Sequence, residues 1–69
     1  MVHLTKPTVA LTVGRLQRSQ LLEYLKNSIL ISKEYYLYIE FRMFYLSHRN
    51  KGNSVQDSID YALLEWDLA

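Results

Sequence analysis

The residues with chemistry to offer are few. The chain has 69 residues, no cysteine and two histidines, His3 and His48. Without cysteine there is no thiolate nucleophile, no disulfide and no zinc-thiolate site. Two histidines are too few to hold a metal by themselves, and no Ser-His-Asp spacing is visible. Two glycines in the whole chain leave no glycine-rich loop for a phosphate. Asp57, Asp60, Glu65 and Asp67 fall on the water-facing side of a predicted helix, without a partner at metal-ligand spacing. These features argue against an enzyme and against a metal or organic cofactor. What remains is the chemistry of contact. Hydroxyls alternate along residues 8–13, cations gather in the first half, and tyrosines occupy positions 35, 36, 38 and 45. Such tyrosines could stack on single-stranded bases. At helical spacing they read better as core and dimer interface.

Charge is unevenly placed. Residues 1–33 carry Lys6, Arg15, Arg18, Lys26 and Lys33 against Glu23, a balance of +4. Residues 34–69 carry Arg42, Arg49 and Lys51 against six carboxylates, a balance of −3. The net charge of +1 therefore conceals a dipolar chain whose basic end suits an anion such as nucleic-acid phosphate. The chain is one domain at most, and a lone monomer of this size buries only about 60% of its unfolded surface. Oligomerisation is the remaining common source of stability. Neither a spanning helix nor a signal peptide is expected, and the expected setting is the cytoplasm.

The elements that must position these groups can be read in turn. Val9, Leu11 and Val13 alternate with Thr8, Ala10 and Thr12, the pattern of a half-buried strand over 8–13. It has no second strand beside it, so it must pair with its copy in another chain. Residues 15–27 form helix, with Leu16, Leu21, Leu22 and Leu25 as its apolar stripe. The stretch from Asn27 to Ser32 is compatible with a turn, a short strand or continued helix. Ser32 is a candidate N-cap with Glu34 in the turn after it, which places a second helix at about 33–49. Six of the twelve residues from Tyr35 to Leu46 are aromatic, and only Glu40 and Arg42 are charged. A helix apolar on nearly every side needs burial on nearly every side, which a symmetry mate can supply. Gly52 stops this helix and Ser54 caps a third, about 55–67, with Val55, Ile59, Ala62, Leu63 and Trp66 facing inward.

One strand, two helices and dimer-dependent burial resemble the ribbon-helix-helix DNA-binding family, the MetJ/Arc type. The resemblance covers residues 6–49 and leaves 54–67 as an additional helix. It implies a mainly α homodimer in which the 8–13 strands of two chains pair and enter the major groove of double-stranded DNA. By that resemblance Thr8, Ala10 and Thr12 would face the bases. Lys6, Arg15, Ser32 and Lys33 would meet phosphates, the last two at the start of the second helix. Val9, Leu11 and Val13 would pack inward, and Tyr35, Tyr36, Ile39, Met43 and Leu46 would form the dimer interface. The implied function is transcriptional regulation by a small dimer of plasmid or phage type, with the dimer as its own partner and an effector left open.

Beside it stand binding of RNA or of a membrane surface by the basic N-terminal part, for which no basic amphipathic helix is clear, and two other readings of the elements. In a second register, residues 28–32 form the strand and 33–49 and 54–67 the two helices. In the other, Leu22, Leu25, Ile29, Ser32, Tyr36, Ile39, Met43 and Leu46 make a heptad seam. Residues 15–50 would then be one long helix of an all-α protein-interaction module that never touches nucleic acid.

Overall fold

Between Arg15 and Lys51 no glycine or proline interrupts helix formation. In the computed structural model, which describes residues 14–69, that stretch holds two helices, α1 (Arg18–Glu34) and α2 (Tyr38–Asn50), followed by α3 (Val55–Glu65). The described residues are thus mainly helical, with no strand among them. The strand expected over 8–13, and with it Lys6, Thr8, Val9, Ala10, Leu11, Thr12 and Val13, lies outside the described residues.

The start of α1 is set by its contacts with α3. The Leu16 backbone N–H donates to Gln56 Oε1 at 2.9 Å, and Gln56 Nε2 donates to the Gly14 carbonyl at 2.6 Å. Residues 14–16 are held against the first turn of α3 by these bonds, so the helix begins at Arg18 and not at 15. Gln17 closes it with a reciprocal capping box to Gln20.

The end of α1 corrects the expected boundary. The helix runs straight through 27–32, so that stretch is neither turn nor strand, and the second register fails. Ser28 and Ser32 are fully buried in α1. Their hydroxyls donate back to the carbonyls of Tyr24 and Ile29, both at 2.7 Å. A serine hydroxyl satisfied in this way can stay inside a helix that its propensity alone would end. Ser32 therefore caps nothing, and Lys33 belongs to the last turn of α1. The single helix over 15–50 fails as well, because the chain breaks between Glu34 and Tyr38.

All three helices end by one device. After α1, Leu37 N–H reaches Ser32 O and Tyr36 N–H reaches Lys33 O; after α2, Asn53 reaches His48 and Gly52 reaches Arg49; after α3, Leu68 reaches Leu63 and Asp67 reaches Leu64. This is the Schellman pattern, which needs a left-handed residue just past the helix. Tyr36 (φ 60°), Gly52 (φ 97°) and Asp67 (φ 57°) occupy that place. Gly52 does so without steric cost; Tyr36 and Asp67 do not. At the start of α3, Ser54 Oγ accepts from Asp57 N–H at 3.1 Å, the expected cap.

The core joins the three helices. Tyr24 comes from α1, Phe41 from α2, and Ile59, Ala62 and Leu63 from α3, with Leu68 folding back beneath them. The inward face expected for the third helix is therefore present, Val55 and Trp66 packing at its edges. Across α2 and α3, His48 stacks on Tyr61 with ring centres 4.6 Å apart. The Asn53 amide nitrogen lies 2.9 Å from His48 Nδ1, a hydrogen bond that ties the end of α2 to the loop after it.

Candidate protein-interaction surface

Helix α2 has only one fully buried side chain, Phe41. The aromatic run was expected to exceed what a single chain can enclose, and among the described residues every side chain from Tyr35 to Leu46 apart from Phe41 is half-buried or exposed. By helical period, Phe44 and His48 turn toward α3 while Tyr38, Arg42 and Tyr45 turn toward α1. Between α1 and α2 lies a cleft of about 170 Å³, lined by Leu25, Ile29, Tyr38, Phe41, Arg42, Tyr45 and Leu46. Phe41 and Tyr45 stack at 6.3 Å along its wall.

Apolar surface continues outward from this cleft. Ile39, Met43 and Leu46 stand at i, i+4 and i+7 on α2, the first two 67% and 65% exposed. Leu22 and Leu30 are exposed on α1. Tyr36, at the α1–α2 break, is 91% exposed while holding a left-handed backbone. A bulky residue at positive φ is strained, and here no burial of its ring offsets that strain. Scattered exposed hydrophobics are ordinary, whereas a contiguous set across two helices marks a surface used for contact.

The borders of the cleft are cationic. Lys26 and Lys33 lie two turns apart on the flank of α1, and Arg42 and Arg49 two turns apart on the facing flank of α2; all four are exposed. Lys33 Nζ sits 5.0 Å over the Tyr38 ring and links the two helices across the mouth of the cleft. Glu40 is the one carboxylate near this face, lining a shallow hollow with Lys33, Tyr36, Tyr38 and Ile39 at the α1–α2 break, whereas Glu23 and Glu34 fall on the outer side of α1 by helical period.

The residues named from sequence are distributed differently than expected. Arg15 turns to the N-terminal end of α3, its guanidinium 3.4 Å from Ser54 Oγ and 3.6 Å from the Asp57 carboxylate. Ser32 and Lys33 stand at the C-terminal end of α1, where carbonyls and not free N–H groups are presented. Their expected place at the start of the second helix is thereby corrected. That polarity disfavours an anion there. Arg15 precedes the start of α1 and Ser32 lies in its last turn, so most of the helix separates them, roughly 21 Å from residue 18 to residue 32 at 1.5 Å per residue. Of the expected interface set, Tyr36, Ile39, Met43 and Leu46 are exposed and Tyr35 is half-buried.

Sequence reasoning missed the cleft itself and the four-cation border. The signal available was the repeat of Lys26 with Lys33 and of Arg42 with Arg49, which becomes visible only once α1 and α2 are known to lie side by side. It also missed the Tyr24–Asp60 pair, in which the tyrosine hydroxyl donates to the carboxylate. Burial, then the hydrogen bond to Asp60, then the charge of Asp60 push the Tyr24 hydroxyl well above the usual tyrosine range. This pair ties α1 to α3 and lies away from the cleft.

Among the described residues no group of histidines and carboxylates could hold a metal ion, and no helix is long and apolar enough to cross a membrane. No family model, curated protein or solved structure matches the chain.

Proposed function

We propose that this chain is a protein-interaction module whose joint α1/α2 face docks a partner polypeptide. The observation that carries the reading is the row of exposed apolar side chains Ile39, Met43 and Leu46 on α2, with Leu46 also lining the cleft, beside exposed Leu22 on α1 and Tyr36 at the helix break. Burying a side chain such as Ile or Met is worth about 1.5–3 kcal/mol when complete. Three or four such residues around a central pocket match the anatomy of a contact hot spot. The test is a photo-reactive amino acid at position 43, introduced into the full chain in its cell of origin. Covalent adducts with a polypeptide are expected, and Leu46→Glu should abolish them. Adducts with nucleic acid only, or none at all, would refute the reading.

A second reading keeps sequence-specific DNA binding by a homodimer, with Thr8, Ala10 and Thr12 at the bases and Lys6 and Arg15 at phosphates. The observation in its favour is that Arg18, Lys26 and Lys33 lie along one flank of α1 and face the same side as Arg42 and Arg49. In this form the backbone clamp moves from Ser32 and Lys33 to the free N–H groups of Tyr38, Ile39 and Glu40 at the start of α2. Selection from a random duplex library separates the two readings. An enriched motif would put DNA binding in front; weak, salt-sensitive binding without sequence preference is what the docking reading expects.

A further inference from the structure

We infer that the partner docked on the α1/α2 face is an acidic amphipathic helix that inserts one large apolar side chain into the cleft. The inference rests on the docking reading above and specifies its occupant. The floor of the cleft is hydrocarbon and aromatic, from Leu25, Ile29, Phe41 and Tyr45. Its volume of about 170 Å³ suits one ring-sized anchor, since an apolar cavity of about 150 Å³ accepts benzene. The outer residues Ile39, Met43 and Leu46 repeat at helical spacing and form a ridge beside the cleft. Ridges and grooves of this kind receive another helix. Strand addition needs an open sheet edge, and no strand occurs among the described residues.

Charge decides which helix. Arg42 lines the cleft and Lys33 sits over its Tyr38 wall, while Lys26 and Arg49 fall on the same two flanks by helical period, the Arg49 guanidinium donating to the Asn53 carbonyl at 2.8 Å; all four are exposed. A partner with carboxylates flanking its apolar stripe meets cations on both borders. A second copy placed on this face by a two-fold axis would instead bring the same four cations against each other, which is costly. A nucleic acid would need phosphate partners along the centre of its path, where this face offers hydrocarbon. The occupant is therefore an acidic helix of another polypeptide.

The experiment uses three fluorescent probes at physiological salt: a helical peptide of Leu, Phe, Ala and Glu, its twin with every Glu replaced by Lys, and a single-stranded oligonucleotide. The Glu peptide is expected to bind at least about tenfold more tightly than its Lys twin. Arg42→Glu combined with Lys26→Glu should erase that preference and leave the circular dichroism spectrum and unfolding midpoint nearly unchanged, because both side chains are exposed. Equal affinity for the two peptides would overturn the inference and leave the docking face standing. Binding of neither peptide would overturn it too, and a blank cross-link at position 43 would then remove the docking reading as well. Tighter binding of the oligonucleotide, or self-association through this face in sedimentation, would overturn it in favour of nucleic acid or of a second copy.

Discussion

Tyr24 is the side chain whose removal should be felt most selectively. Its ring is buried in the core and its hydroxyl donates to Asp60, so it joins α1 to α3 at a single point. The folded protein holds the tyrosine proton more tightly than the unfolded chain, where it titrates near pH 10. The stabilisation is therefore complete below about pH 10 and is lost as pH rises beyond it toward the folded-state value. Tyr24→Phe should flatten this alkaline decline. At neutral pH it should cost about 1.5–3 kcal/mol, because a hydrogen bond to a charged group is lost. Urea unfolding at a series of pH values measures both effects.

The helix ends are the next scale. Three identical endings with three different residues at the left-handed position make an internal comparison. Gly52 is suited to its place and Tyr36 is not, although both close the same pair of hydrogen bonds. Tyr36→Gly should raise stability by up to about 1 kcal/mol, since it relieves strain and the 91% exposed ring contributes no packing. Gly52→Ala should lower it by about the same amount. Thermal unfolding of the two variants checks the opposite signs. If Tyr36 takes part in docking, the more stable Tyr36→Gly variant should also bind the acidic peptide more weakly. Stability would then have been given up at this residue for contact.

For the whole molecule, the question is whether the α1/α2 face holds the fold together or serves something outside it. Ile39 and Met43 are about two-thirds exposed, so the isolated chain gains little from them. Ile39→Glu with Met43→Glu should shift the unfolding free energy by less than about 0.5 kcal/mol, as for surface sites generally, while docking is lost. An obligate dimer built on these side chains would instead unfold, or become strongly dependent on concentration. Denaturant unfolding of the double variant at two protein concentrations distinguishes the outcomes.

Much of this was legible in the residues alone. The Ser54 cap, the Gly52 stop and the inward set Ile59, Ala62 and Leu63 follow from local rules, because each depends on neighbours within one turn. The excess of apolar side chains from Tyr35 to Leu46 was also readable, and with it the need for something to cover them. The boundary between the first two helices was not. A serine hydroxyl can cap a new helix or bond back into an existing one, and burial of Ser28 and Ser32 beneath the other helices selected the second. The direction in which α2 presents its faces was likewise undecided: period relates the faces to one another but does not say which meets a neighbour. Only the packing of α1 and α3 against Phe41 turned Ile39 and Met43 outward and brought four cations to the borders of one cleft.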